Sequence, residues 1–169
     1  LSHQVKETVN LAVLDGLRLI YIERIKTQQI VNINLHVGSR LELYNTAMGR
    51  VLAAFQDEKW LSRYLKYIEK FPEAEAYWQN NGQKLLNILE EVRKRGYAIN
   101  NEELTPGLRS VAAPIRNREG NVVGAVNIAV SSSLYSLPRL KKELIPPLQK
   151  TTLAISRALG YNSDLKNIR

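Results

Sequence analysis

The stretch that decides the fold is residues 109–131, which read RSVAAPIRNREGNVVGAVNIAVS. Apolar residues alternate with small or polar ones on both sides of a polar centre, a pattern typical of two antiparallel strands joined by a tight turn. If Glu119 and Gly120 form a two-residue loop, each residue before the loop has one partner after it. The predicted pairs are Ser110–Ala129, Val111–Ile128, Ala112–Asn127, Ala113–Val126, Pro114–Ala125 and Ile115–Gly124.

The two faces of this predicted hairpin differ in chemistry. Successive side chains of a strand point to opposite faces, so Val111, Ile115 and Ile128 share an apolar face that suits packing against helices. Ser110 and Asn127 lie on the other face together with alanines, and such short side chains leave space above the sheet. This face predicts a small-molecule cavity with a few placed hydrogen-bonding groups. The alternative is that a helix covers the small residues closely.

Strand and helix signals alternate through the rest of the chain. A second hairpin is predicted over residues 10–24 around Asp15-Gly16, and a strand over residues 29–37, where apolar and polar residues alternate. Four helices are predicted. The first begins at a cap on Asn45 or Thr46, and the second begins at a cap on Asp57. The third covers residues 83–95 before Gly96, and the fourth covers residues 138–160 with a break or bend at Pro146-Pro147. The chain therefore fits one α+β domain, an antiparallel sheet flanked by helices.

The composition is that of a globular protein that does not span a membrane. The chain has 169 residues, of which 44% are hydrophobic and none is cysteine, so disulfides and cysteine-bound zinc are excluded. We expect a cytoplasmic protein. A net charge of +8 raises the alternative of a basic nucleic-acid-binding module, but the cations are dispersed along the chain. The first residue is Leu1, which suggests a fragment of a longer polypeptide.

No catalytic or metal-binding motif is present. The two histidines, His3 and His36, belong to no serine-histidine-acid or H-E-x-x-H pattern, and no phosphate-binding glycine loop occurs. Glu102-Glu103 resembles an acidic pair but fits a solvated turn better. We therefore predict no catalytic residue, no metal and no cofactor. A small hydrolase that uses Ser110 or the serines at residues 131–133 is a weaker alternative.

Five motifs, in this order and spacing, together resemble the effector-binding domain of IclR-family transcriptional regulators. They are VGSRLELYNTAMGR at residues 37–50, RGYAINNEE at 95–103, PGLRSVAAP at 106–114, GNVVGAVNI at 120–128 and ISRALG at 155–160. The resemblance covers residues 9–160 and implies a GAF-like fold with a small-molecule pocket. Residues 1–8 would then be the end of a linker helix from a missing DNA-binding domain, and residues 161–169 a C-terminal tail.

The resemblance also implies partners. In such regulators an N-terminal winged helix-turn-helix binds operator DNA, the effector is a small organic acid, and the protein is a homodimer or tetramer. Met48 before Gly49-Arg50 and the V-N-I run at residues 126–128 are more similar to the subgroup that senses aromatic acids such as protocatechuate or 4-hydroxybenzoate. The main alternative is a GAF-like sensory module attached to a different signalling output.

The resemblance implies a set of effector-binding residues as well. They are Ile33, Leu41, Ala47, Met48, Asn100, Ser110, Asn127 and Ala129. Three of them, Ser110, Asn127 and Ala129, belong to the small polar face predicted above. The N-terminus of the helix near Ala47 would offer N–H groups to a carboxylate. Arg40 is the candidate charged partner of that carboxylate, with Arg24 and Arg50 as alternatives.

Overall fold

The computed structural model describes residues 1–27 and 35–162. Its centre is a six-stranded antiparallel sheet with the strand order β3-β2-β1-β6-β5-β4. The strands are β1 (Thr8–Asp15), β2 (Arg18–Ile25), β3 (Arg40–Leu41), β4 (Ala98–Asn101), β5 (Leu108–Arg116) and β6 (Val122–Ser131). The helices are α1 (Ser2–Val5), α2 (Ala47–Ala54), α3 (Glu58–Ile68), α4 (Glu75–Arg95) and α5 (Leu137–Ala158), and a short 3-10 helix covers Pro72–Ala74.

The register predicted for the central hairpin is confirmed. All six predicted pairs between β5 and β6 are present. The predicted two-residue loop is wrong, because Asn117 pairs with Asn121 around a three-residue turn at residues 118–120, and the register shifts at Ile115/Arg116 to accommodate the extra residue. The second predicted hairpin is confirmed as well, because β1 pairs with β2 through a loop at Gly16 and Leu17. A further pairing joins β1 to β6, which places the two hairpins side by side in one sheet.

Helices cover both faces of the sheet. On one face α5 packs on the apolar side of the central hairpin, where Val111 and Ile128 are fully buried against Leu140 and Leu144. On the other face α2 lies against the sheet, and α3 and α4 pack outside it. This is the predicted α+β, GAF-like fold. Among the described residues no helix is long and apolar enough to cross a membrane.

Local capping explains where the helices begin and end. The Thr46 hydroxyl accepts a hydrogen bond from the N–H of Gly49 at 3.1 Å, and an Asp57 carboxylate oxygen accepts one from the N–H of Trp60 at 2.7 Å. Both residues cap their helices as predicted. Gly96 ends α4 with φ at +73°, a left-handed conformation that favours glycine.

Three predictions of secondary structure differ from the structure. Most of the strand predicted over residues 29–37 lies outside the described residues, and residues 35–37 form an irregular stretch and a turn instead. The helix predicted over residues 83–95 is confirmed as the second part of α4, but the first part, which begins at Glu75 and ends at a break with non-helical angles at residues 79–82, was not predicted. The last helix continues through Pro146-Pro147 without a break. The carbonyls that these prolines leave unpaired belong to the exposed residues Lys142 and Glu143, where water can satisfy them.

Candidate functional site

A cavity lies between α2 and the face of the sheet opposite α5. The described residues that line it are Thr8, Asn10, Tyr21, Arg24, Leu35, Thr46, Ala47, Met48, Asn100, Leu104, Leu108, Ser110, Asn127 and Ala129. Its walls leave about 460 Å³ between atoms, part of it open to solvent, and most of this space is too narrow for a water molecule. The cavity is therefore narrow in this conformation.

Strand pairing builds the floor of the cavity. Asn10 of β1 lies opposite both Arg24 of β2 and Asn127 of β6. Directly opposed residues point to the same face of a sheet, so these three polar side chains form one row. A second row consists of Thr8, Ala129, Ser110 and Asn100 on β1, β6, β5 and β4. The small polar face predicted for one hairpin thus extends across five strands.

The N-terminus of α2 forms the opposite wall. Gly49 allows this helix to lie close to the preceding loop, because a Cβ atom at this position would be 2.3 Å from the Cα atom of Leu43. The N–H groups of Ala47 and Met48 belong to the first helical turn, where acceptors within the helix are absent. They also lie at the positive end of the helix dipole. This wall therefore favours a negatively charged group.

Several polar atoms at the cavity are buried without a partner. The Asn10 amide donates to the Asn127 carbonyl oxygen at 2.7 Å, and the Asn100 amide donates to the Asn45 backbone carbonyl at 2.6 Å. Within the described part of the chain, however, Asn10 Oδ1, Asn100 Oδ1 and Arg24 Nε have no hydrogen-bond partner. Buried polar groups are normally satisfied, so these atoms are available to a ligand.

A buried ion pair between Arg50 and Glu103 lies next to Asn100, at the edge of the cavity. Arg50 is 4% exposed, and its guanidinium donates to both carboxylate oxygens of Glu103 at 2.7 and 2.8 Å. It also donates to the backbone carbonyls of Tyr44 and Ile99. Burial acts to raise the pKa of Glu103, but the hydrogen bonds and charge of Arg50 hold this pKa below its ordinary value. Arg50 is thus occupied by the protein itself.

The structure brings most of the predicted site residues together. Six of them line the cavity: Ala47, Met48, Asn100, Ser110, Asn127 and Ala129. Leu41 packs at the edge of the hydrophobic core instead, because β3 lies at the outer edge of the sheet. Ile33 lies outside the described residues.

The candidate charged partner is placed elsewhere. Arg40 is about half exposed, and its Nε donates to Asp15 at 2.7 Å across the outer edge of the sheet. It does not line the cavity, whereas Arg24 does. Arg24 is the single charged side chain among the described residues that line the cavity, so it replaces Arg40 as the candidate partner of an anion.

Several lining residues were missed by sequence reasoning. Thr8, Asn10 and Tyr21 belong to the first hairpin, whose pairing with β6 places them above the same space. Burial raises the pKa of Tyr21 to about 12, so its hydroxyl stays protonated. Thr8 and Asn10 alternate with apolar neighbours, which indicates that they share one face of a strand. Only the long-range pairing with β6 shows that this face borders the cavity.

The cavity has none of the groups expected of a metal centre. Among the described residues no cluster of three or more histidine, aspartate or glutamate side chains could hold a metal ion. The serines at residues 131–133 lie at the end of β6 and in the following turn, and they do not line the cavity.

Comparison with known proteins identifies the same family that the sequence motifs resemble. Residues 1–157 match the family described as bacterial transcriptional regulator IclR C-terminal. The chain is 32% identical over 162 residues to the HTH-type transcriptional regulator KdgR of Escherichia coli, covering 96% of this chain and 61% of that protein. It is also 32% identical over 162 residues to the Pca regulon regulatory protein of Pseudomonas putida, covering 95% and 54%.

A solved structure supports the same relationship. The crystal structure of the C-terminal domain of E. coli KdgR superposes with a TM-score of 0.80 at 31% sequence identity, covering 95% of this chain and 92% of that domain. Compared with the two full-length relatives, KdgR and the Pca regulon regulatory protein, the chain spans little more than half of their length. These relatives are named as transcriptional regulators, not as enzymes, in agreement with the expectation from the sequence.

Proposed function

The chain belongs to the IclR family of bacterial transcriptional regulators as its C-terminal effector-binding domain, and on this premise we propose that its cavity binds a small organic acid. The observation that carries the proposal is the set of unpaired polar atoms at the cavity. Arg24 supplies a positive charge and a free donor, and the first turn of α2 adds N–H groups and the positive end of a dipole. A carboxylate can accept from the Arg24 donor and from these N–H groups, whereas the unpaired Asn10 and Asn100 oxygens need a donor instead.

The size of the cavity suggests how binding could be transmitted. The cavity is narrow in this conformation, so we propose that α2 and the sheet move apart when an organic acid binds. An effector can shift an equilibrium between two conformations only by its difference in affinity for them. A cavity that opens on binding supplies such a difference, because the opened conformation alone makes the full set of contacts.

We assign the output to parts of the protein beyond this chain. The proposed output is altered operator binding by an N-terminal winged helix-turn-helix, in a cytoplasmic homodimer or tetramer. The likeness of Met48-Gly49-Arg50 and of residues 126–128 to the subgroup that senses aromatic acids supports protocatechuate or 4-hydroxybenzoate as the first effectors to test. Met48 and Leu35 provide apolar wall for a ring.

Calorimetric titration of the purified chain tests this proposal. The acids are protocatechuate, 4-hydroxybenzoate, pyruvate, glyoxylate and gluconate, and we expect saturable binding of at least one of them. The Arg24→Met variant should bind that acid about tenfold or more weakly, because a hydrogen bond to a charged group contributes about 1.5–3 kcal/mol. The Arg40→Met variant is the matched control and should bind as the wild type does.

Two outcomes would contradict the proposal. If no acid binds to the folded chain, the cavity is not an organic-acid site. If Arg40→Met weakens binding and Arg24→Met does not, the carboxylate lies at the outer edge of the sheet and not in the cavity.

A further inference from the structure

We infer that the outward face of α3 binds the phosphate backbone of duplex DNA without reading its sequence. The surface consists of Lys59, Arg63, Lys66 and Lys70 and is called the basic stripe below. It shares no residue with the described lining of the cavity. The choice of DNA as the partner rests on the proposed function, in which the full-length protein also holds operator DNA.

Helical geometry places the four cations in one line. Lys59, Arg63 and Lys66 are four and three residues apart on α3, and Lys70 follows four residues later in the turn after the helix. With 3.6 residues per turn, this spacing keeps them within an arc of about 60°. All four side chains are exposed, and the opposite face of α3 is buried in the core. Folding therefore gathers cations that are dispersed in the sequence into one positive surface.

The charge of the basic stripe is not neutralised by neighbouring acids. Within the described part of the chain, none of its four cations forms an ion pair. The cations at the end of α4 differ, because Lys94 and Arg95 pair with glutamates one turn earlier. At the end of the stripe, Nζ of Lys70 lies 4.0 Å from the centre of the Tyr67 ring. The stripe can therefore attract an anion from solution.

The basic stripe works against the stability of its own helix. Like charges four residues apart on a helix repel each other, and both Lys59–Arg63 and Lys66–Lys70 have this spacing. Lys59 also lies in the first turn of α3, next to the positive end of the helix dipole, where a cation is unfavourable. Local helix stability therefore does not account for the arrangement, whereas a bound polyanion would relieve the repulsion.

The length of the basic stripe suits a DNA backbone. At 1.5 Å per residue, the distance along the helix axis from Lys59 to Lys70 is about 17 Å. Duplex DNA carries one phosphate per about 1.7 Å of its axis, so about ten phosphates lie within this length. A membrane surface is a poorer match, because the apolar face of α3 is buried in the core and cannot enter a bilayer.

Fluorescence anisotropy of a labelled DNA duplex, measured with the purified chain at several salt concentrations, tests the inference. If each cation of the stripe displaces one counterion, the logarithm of the binding constant should fall against the logarithm of the salt concentration with a slope of about −3 to −4. Binding should therefore weaken about 100-fold between about 50 and 200 mM salt. Duplexes of unrelated sequence should bind equally well.

Two matched variants connect the binding to the stripe. The stripe variant, K59Q/R63Q/K66Q/K70Q, should bind the duplex about tenfold or more weakly at about 50 mM salt. The control variant, K141Q/K142Q/K150Q/R157Q, also loses three lysines and one arginine, all exposed but not in one line along α5. It has the same net charge as the stripe variant and should keep most of the affinity. Urea midpoints close to that of the wild type verify that both variants fold.

Three outcomes would overturn the inference. It is wrong if the chain does not bind the duplex at low salt. It is wrong if the stripe and control variants lose affinity equally, because net charge and not the stripe would then attract DNA. It is also wrong if polyglutamate displaces the duplex as effectively as unlabelled DNA does, because the stripe would then fit an acidic protein. The calorimetric titration with organic acids is independent of all three, so either proposal can fail while the other stands.

Discussion

Replacing Arg50 with methionine should destabilise the domain far more than the same replacement at Arg40. Both arginines form ion pairs with a shortest N–O distance of 2.7 Å. The Arg50 side chain is 5% exposed and pairs with Glu103, whereas the Arg40 side chain is 49% exposed and pairs with Asp15. The two variants remove the same chemical group, so the main differences between them are burial and the backbone carbonyls of Tyr44 and Ile99 to which Arg50 also donates.

The expected magnitude follows from what each variant leaves behind. Breaking a buried ion pair by removing one partner costs about 3–5 kcal/mol. Glu103 is 33% exposed and can be partly hydrated, so we expect about 3 kcal/mol for Arg50→Met. For a chain of this length that is a drop of roughly 6–12 °C in melting temperature. The exposed pair should contribute about 0–1 kcal/mol.

Urea unfolding at neutral and acid pH tests the prediction. Because the folded-state pKa of Glu103 is lowered, the stability that it contributes is present above its unfolded pKa and is lost as the pH falls through the folded pKa. The gap in unfolding free energy between wild type and Arg50→Met should therefore shrink toward about pH 3. If Arg50→Met loses no more stability at pH 7 than Arg40→Met does, the ion pair does not hold the β4 side of the cavity together.

Two further predictions concern the cavity floor and the loop before α2. Asn127→Leu should fill the cavity and abolish acid binding while the circular dichroism spectrum stays native; calorimetry that shows unchanged affinity would remove this face from the site. Tyr64→Phe should lower the free energy of unfolding by about 2–4 kcal/mol, because the buried hydroxyl accepts from the N–H groups of Leu43 and Tyr44 and its loss leaves both unpaired. A urea midpoint within error of the wild type would contradict that assignment.

The local features of the fold could be predicted from the sequence. The pairs between β5 and β6 follow from the alternation of side chains around the polar centre of the hairpin, although the turn itself has three residues, 118–120, and not two. The cap at Asp57 and the helix end at Gly96 are equally local. The first part of α4 and the break after it were missed, although Asn80, Asn81 and Gly82 are residue types that adopt left-handed angles most readily.

The candidate site was predictable in part. Ser110, Asn127 and Ala129 were identified from strand alternation alone, and the family resemblance added Ala47, Met48 and Asn100. The choice among three arginines was not predictable. Arg24 lies on β2, Arg40 on β3 and Arg50 on α2, and only the packing of these elements shows which of them faces the cavity.

By itself, the sequence determined the fold class, the register of the central hairpin, the helix caps and the family, since each depends on nearby residues or on motifs in order. Only the tertiary structure decided that Arg24 faces the cavity, that Arg40 pairs with Asp15 and that Arg50 is held by Glu103. These partners are up to 53 positions apart in the chain. They meet because the sheet and α2 pack together, so the environment of each charge, and with it the chemistry available to a ligand, exists only in the folded domain.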